Sequence, residues 1–334
     1  MILEDRRSEV LRALVEEHIR SGEPVSSRAI VVNSNLEVST ATVRNDLSSL
    51  EQDGFVMQPY TSAGRVPTAA AYRYYVDHLG PGRLRHAAQE KIDSFFGDVH
   101  LELSKLLRAT SDLLVEITDL PAVVVAPGIT LDRVRAIHTV QISKDQVLLV
   151  VVTEGGRVVQ QRGRVRVPVT AAEVEQAQNA VASLVVGHEL SGALAVAPEA
   201  VAQMDERTRE AMMTIMDCLH LVASAGSDVY LGGTQRMAAV WEDPSTVERV
   251  LEILEREAEV MKLLAGASET SIQLGAELDA SDIDLAVVSK SYDASGEGGS
   301  VGVIGPMRMN YKKAISAVEE VSKELEEQIG SRSD

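Results

Sequence analysis

Val38-Ser39-Thr40-Ala41-Thr42-Val43-Arg44-Asn45-Asp46-Leu47 reads as a capped helix start whose outward face consists almost wholly of groups able to hydrogen-bond to DNA. Ser39 is placed to act as N-cap, with Val38 and Val43 as the hydrophobic staple that fixes the entry angle. Val43, Leu47 and Leu50 then recur at i, i+4 and i+7. At roughly 100° per residue, that stripe leaves Ala41, Arg44, Asn45 and Ser48 on the opposite side, with Thr40 and Thr42 in the first turn. Arginine pairs well with guanine O6 and N7, asparagine with adenine N6 and N7, and small methyls with the thymine methyl. The stretch therefore predicts a recognition helix.

The same grammar occurs one helix earlier. Ser26 can cap residues 27 to 32, with Val25 and Ile30 as a second staple. Residues 33 to 38 form the turn between the two helices, somewhat longer than the tightest helix-turn-helix. Upstream, Leu3, Val10, Leu11, Leu14, Val15 and Ile19 give a first helix with one apolar face, stopped near Gly22 and Pro24. Gly54 can close the third helix, and residues 55 to 60 read as a strand leading into Thr61-Ser62-Ala63-Gly64-Arg65-Val66-Pro67. This predicts a β wing, in which the small residues let backbone approach a phosphate and Arg65 supplies charge. Base contacts are expected at Thr40, Thr42, Arg44 and Asn45, with Ala41 beside them on the DNA-binding face. Ser26 and Ser39 orient their helices, Arg28 and Arg65 reach phosphate, and Thr61, Ser62 and Gly64 shape the wing. Thr68 is placed to cap a further helix whose Tyr72, Tyr75, Val76 and Leu79 stripe is expected to pack under the wing as core, because aromatics at helical spacing usually bury.

With 334 residues the chain has room for two or three domains. Its 32 basic and 50 acidic residues give a net charge of −18, the opposite of the usual nucleic-acid-binding signature. That charge is unevenly placed. Residues 1 to 85 carry ten Arg, no Lys and eleven acids, which leaves 22 basic and 39 acidic groups on the remainder. A negative body repels random duplex at distance, so affinity should rest on specific contacts and on two reading heads acting together. No apolar run reaches membrane-span length and no basic-apolar leader is evident. The single Cys218 excludes an internal disulfide framework, so a reducing, cytoplasmic setting is expected.

Gly80-Pro81-Gly82 punctuates the chain. Beyond it, Ile92, Phe96, Val99, Leu103, Leu106, Thr110, Leu113 and Ile117 alternate in steps of four and three, a seam suited either to a twin helix in a dimer or to a connecting helix packed on its own chain. Gly97 and Thr110 favour the second. Residues 122 to 125, 134 to 142, 146 to 153 and 157 to 167 read as an antiparallel meander. Helical text follows at 171 to 186, 198 to 223 and 244 to 264, then strands at 271 to 278, 284 to 289 and 300 to 304, and a last helix from 310 to about 328. Sheet, helices, sheet implies an insertion.

Nothing coherent points to catalysis. The seven histidines include no pair at i, i+3 or i+4, and His188-Glu189 has Gly192 where a zincin's second His belongs. Gly298-Gly299-Ser300-Val301-Gly302 fits the nucleophile-elbow pattern, but a loop precedes the serine, a strand follows it, and no His occurs after position 220. Asp279, Asp282 and Asp284 lack the spacing of a calcium loop, and no phosphate-binding glycine motif is present. No metal or cofactor is expected, and the chain does not read as an enzyme.

Gly-Glu-Pro-Val-Ser-Ser (22 to 27), Val-Ser-Thr-Ala-Thr-Val-Arg-Asn-Asp-Leu (38 to 47), Leu-Glu-Gln-Asp-Gly-Phe (50 to 55) and Thr-Ser-Ala-Gly-Arg-Val-Pro-Thr (61 to 68) resemble the HrcA family of heat-inducible transcription repressors. The likeness extends to residues 72 to 77 and 303 to 311; Tyr60 stands where the family usually has His, and Ala71 where Gly is common. The resemblance implies an α+β multidomain chain with a winged helix-turn-helix at 1–80, a linker helix at 83–118, a GAF-like α/β domain at 119–168 and 266–330, and a mainly helical inserted dimerisation domain at 169–265. It also implies a homodimer on double-stranded DNA, at an inverted-repeat (CIRCE-type) operator of chaperone genes, modulated by the chaperonin GroEL. The competing expectation is a winged-helix regulator controlled by a small-molecule effector bound in the GAF-like domain.

Overall fold

Three short helices open the chain: α1 (Asp5–Ser21), α2 (Ser27–Asn33) and α3 (Thr40–Gln52). Their apolar stripes meet, and Val10, Leu11, Leu14, Val15, Ile30, Val43, Leu47 and Leu50 are buried. Burying a side chain of this size contributes about 1.5–3 kcal/mol, so this stripe is what holds three weak helices together. Gly22 ends α1 in left-handed backbone (φ 72°), its N–H returning to the His18 carbonyl at 2.9 Å. The computed structural model describes residues 5–34, 36–61, 63–80, 82–97, 103–128, 133–154, 156–190, 204–224, 228–256, 260, 263–264, 269–278, 283–294 and 297–330.

A two-stranded antiparallel ribbon follows, β1 (Val56–Met57) with β2 (Val66–Pro67), and then α4 (Ala69–Asp77). Thr68 stands at the N-cap position of α4 but makes no side-chain cap bond; its hydroxyl donates instead to the Gly54 and Phe55 carbonyls at 2.8 and 3.0 Å. Tyr72 and Tyr75 are buried, as the helical spacing implies, but the ring they share is Tyr311, at centroid distances of 6.3 and 6.4 Å. Tyr74 instead lies edge-on to Phe55, the residue before β1, at 5.8 Å.

The seam after residue 83 divides between α5 (His86–Gly97) and α6 (Leu103–Thr118). Val99 lies outside the described residues. Ile92, Phe96, Leu103, Leu106, Thr110, Leu113 and Ile117 are all buried within this chain, which is the connecting-helix reading of the pattern. They pack against the last helix, α11 (Tyr311–Gly330), and one face of a five-stranded antiparallel sheet. The sheet order is β7 (Val229–Gly232), β3 (Ala122–Val125), β10 (Glu297–Gly305), β9 (Ala286–Ala294), β8 (Ser271–Leu274). Its other face, with Val123, Val125, Leu285, Val287 and Ile304, is covered by Met237 of α9 (Met237–Val240), by Trp241 that follows it, and by Val250 and Leu254 of α10 (Pro244–Leu254).

The remaining strands differ from the expectation. β4 (Val134–Ser143), β5 (Gln146–Thr153) and β6 (Val158–Arg164) form a three-stranded sheet of their own and, among the described residues, do not pair with β3. Their inner residues Ile137, Val147, Leu149 and Val151 share a core with Val174, Ala177 and Val181 of α7 (Ala171–Val185), and with Ala211, Ile215 and Leu219 of α8 (Glu206–Ser224). The excursion therefore begins before β4, not at 169, and carries a sheet besides its helices. The main sheet resumes at β7, ahead of the expected 266. A meander with short turns has the same alternation whether it extends one sheet or starts another, so pattern could not place the boundary. At the exit, the buried Arg157 donates to the carbonyls of Pro127 (2.7 Å) and Gly128 (3.0 Å) and ties the two parts together.

Candidate nucleic-acid interface

Both helix caps form as their residues dictate. Ser26 Oγ accepts the Ala29 N–H and Ser39 Oγ accepts the Thr42 N–H, each at 3.1 Å. Ser39 and Thr42 also share a hydroxyl bond of 2.9 Å, so Thr42 is partly committed to the cap. The turn before α3 is held by the Ser34 N–H on the Ile30 carbonyl at 3.0 Å.

Beyond that cap, α3 presents Thr40, Ala41, Arg44, Asn45 and Ser48 to solvent, while Val43, Leu47 and Leu50 face inward. The guanidinium of Arg44 and the amide of Asn45 make no hydrogen bond or ion pair among the described residues, nor does the exposed Arg28 on α2. Other arginines nearby are tied down. Arg6 grips the buried Asp46 with two bonds of 3.0 Å, locking α1 to α3 from the inner side. Such a bidentate pair fixes orientation as well as distance. Asp46 is thus a scaffold residue within the stretch that reads as recognition surface, a role its spacing did not signal.

The loop between β1 and β2, expected to be a wing, is more strongly braced than small residues alone suggest. Gln58 Nε2 donates to the carbonyls of Thr61 (2.9 Å) and Ala63 (3.0 Å), and leaves the Thr61 side chain exposed. Ser62 lies outside the described residues. Arg65 and Val25 exchange both backbone bonds at 2.8 Å. The bridge brings Gly64 so close to the neighbouring chain that a Cβ there would stand 2.3 Å from the Val25 carbonyl oxygen. In this conformation the smallness of Gly64 serves the loop's own seat against Val25. Arg65, expected at phosphate, lies with its guanidinium on Glu51 at 2.8 Å. An acid fourteen residues upstream gives no local signal for such a partner.

The N-terminal helices are seated on the body through α4 and α1. Arg73 donates to the Ile272 carbonyl at 2.7 Å and pairs with Glu277 at 3.1 Å, and Lys312 reaches Glu16 of α1 at 3.0 Å. The Tyr72 hydroxyl lies 2.8 Å from His18 Nδ1. Burial raises the pKa of Tyr72 and Tyr75 well above the ordinary phenol value, so both stay neutral.

The segments that tempted a catalytic reading sit in structural roles. Ser300 is mid-strand in β10, opposite Val125 on one side and Ser291 on the other, not at a turn. Gly299 before it makes room for an aromatic ring: a Cβ there would lie 2.3 Å from Tyr292 Cζ, and that tyrosine donates to the Val125 carbonyl at 2.9 Å. Asp279 and Asp282 lie outside the described residues, while Asp284 accepts the Met307 N–H at 2.8 Å. Among the described residues no group of three or more His, Cys, Asp or Glu is arranged to hold a metal, and no helix is long and apolar enough to cross a membrane.

Comparison with known proteins bears on these features. A family model described as HrcA protein C terminal domain matches residues 104–315. A protein of Frankia casuarinae named heat-inducible transcription repressor HrcA is 35% identical over 346 residues, spanning 99% of this chain and 100% of its own length. One of the same name from Nocardia farcinica is 35% identical over 344 residues, spanning 98% of each. A crystal structure of a hypothetical protein at 2.2 Å resolution superposes with a TM-score of 0.66 at 21% identity, over 99% of this chain and 100% of that one, so the two share a fold.

Proposed function

The chain belongs to the HrcA family of heat-inducible transcription repressors, and on that premise we propose that it silences chaperone operons by gripping a CIRCE-type inverted repeat as a homodimer. Its relatives are named as repressors, regulators rather than enzymes. In this reading the segment 1–80 is a winged helix-turn-helix. α3 enters the major groove with Arg44 and Asn45 toward base edges and Thr40 and Ala41 toward thymine methyls; Ser26, Ser39 and Thr42 hold the helices in register; Arg28, Thr61, Ser62, Gly64 and Arg65 follow the backbone. One observation carries it: Arg44 and Asn45 project from a helix capped by Ser39, with no partner among the described residues.

A two-fold axis in the protein calls for a palindromic site. Support for pairing comes from the outer face of β4–β6, where Val140 is 55% and Val158 49% exposed beside the half-buried Leu148, Val150 and Val152. An apolar strand face of that kind asks for cover, and a second copy supplies it. The main sheet, antiparallel with helices on both faces, is compatible with a GAF-like body. The chaperonin GroEL favours the DNA-binding state, and unfolded proteins that occupy GroEL release the operator in the cytoplasm. Footprinting on chaperone promoters of the source genome, with and without GroEL, tests the proposal. Protection of both arms of an inverted repeat, strengthened by GroEL, is expected; a promoter left unprotected in both conditions removes it.

A further inference from the structure

A cleft of about 470 Å³ opens where the segment leaving the DNA-reading region meets the start of α11, and Arg83, Arg85, Lys91, Lys312 and Lys313 converge on it. Five cations around one cavity stand out in a chain of net charge −18. Three have anionic neighbours: Lys91 meets Glu116 at 3.1 Å, Lys312 meets Glu16 at 3.0 Å and Lys313 meets Asp119 at 3.3 Å. Exposed pairs of this type are weak and readily exchanged. Arg83 and Arg85 have no side-chain partner among the described residues. Beside them Leu84, Ala88 and Ile117 contribute an apolar wall.

Two uncompensated guanidiniums suit a phosphate group, which their planar fork can bind through paired N–H donors. The apolar wall suits a flat, weakly polar body attached to that phosphate. The volume lies within the range of pockets that enclose small molecules, whereas a duplex is too wide to enter a concavity of this size. We propose that this cleft binds a nucleoside polyphosphate, with its phosphates on Arg83 and Arg85 and its base against Leu84, Ala88 and Ile117.

The position gives such a ligand leverage. One wall is the segment that leaves the DNA-reading region; the other is the first turn of α11, whose Tyr311 packs on Tyr72 and Tyr75 and whose Lys312 pairs with Glu16. A bound polyphosphate competes with Glu16 for Lys312 and so changes the seating of α1 on the body. By linkage, operator and nucleotide then alter each other's affinity by one common factor. Binding in the cleft stands apart from operator recognition, and only the coupling rests on it.

Titration calorimetry on the full chain tests the proposal with ATP and GTP as probes, pyrophosphate and adenosine as controls, and the double variant Arg83→Ser, Arg85→Ser. Both arginines are exposed, and thermal unfolding without ligand should match the unaltered protein. Expected are one site per chain for at least one nucleotide, at least tenfold weaker binding in the double variant, and at least tenfold weaker binding of either control. No heat with either nucleotide, an unchanged Kd in the double variant, or pyrophosphate binding as tightly as the nucleotide overturns it. So does a double variant that loses duplex binding where neither nucleotide binds, which assigns the arginines to the DNA backbone. In gel shifts, saturating nucleotide should change operator affinity at least threefold, and an unchanged affinity sinks the coupling. A chain that binds nucleotide but ignores every operator removes the repressor reading and leaves the cleft standing.

Discussion

The outer face of α3 and the outer face of β4–β6 are both open to solvent, yet they leave different things unsatisfied. Arg44, Asn45 and Thr40 lose nothing while water solvates them, so that face can stay bare between encounters. Val140, Val158 and the half-buried Leu148, Val150 and Val152 keep apolar area in water at a cost of about 25 cal/mol per Å² for as long as they are uncovered. A surface of the first kind suits an intermittent polar partner, and the second suits a lasting apolar one. The contrast teaches how, on the proposed reading, one chain could hold a permanent twin and a releasable operator.

The largest effect should come from spoiling the apolar face. Val140→Lys with Val158→Lys is expected to give monomers in sedimentation equilibrium, and to weaken operator binding by about 100-fold or more through loss of the second reading head. A stable dimer in that variant would break the contrast. Gly64→Ala comes next. The added Cβ meets the Val25 carbonyl oxygen, so the Val25–Arg65 bridge must open, at a cost of about 1–3 kcal/mol. Faster hydrogen exchange at the amides of Val25 and Arg65 would report it.

Smaller again is Ser39→Ala, which removes the cap of α3 and should cost about 1 kcal/mol in thermal stability. The smallest expected effect sharpens how the reading region sits on the body. Burial, with the Arg308 charge adding to it, holds the His18 imidazole below its ordinary 6.5, so the unfolded chain takes up the proton first. Stability is then full above about pH 6.5 and declines as pH falls from there toward the folded value. His18→Gln should flatten that limb of a stability–pH curve, and an unaltered slope would assign it to other groups.

How much of this was legible in the sequence follows from how local each determinant is. The caps at Ser26 and Ser39 involve an N–H three residues on, so residue type and spacing decided them. The inner stripe of α3 was equally readable. Asp46 with Arg6, and Glu51 with Arg65, pair across forty and fourteen residues, and no periodic signal reports which acid a given arginine will meet. β7 was missed because Val-Tyr-Leu-Gly is too short to outweigh the helical text on either side; it becomes a strand only through its pairing with β3. Gly298 and Gly299 read as loop, yet both sit in β10, and Tyr292 occupies the space that Gly299 leaves free. Which sheet β4–β6 joins depends on partners far along the chain.

The recognition role of α3 is the claim on which the rest depends. Its most direct test is a panel of CIRCE-type duplexes, each with one base pair of a half-site replaced, titrated with the unaltered protein and with Arg44→Ala. Discrimination at one symmetric base pair should fall by about 1–3 kcal/mol while preferences elsewhere persist. An Arg44→Ala protein that keeps the original preference at every position would contradict the assignment.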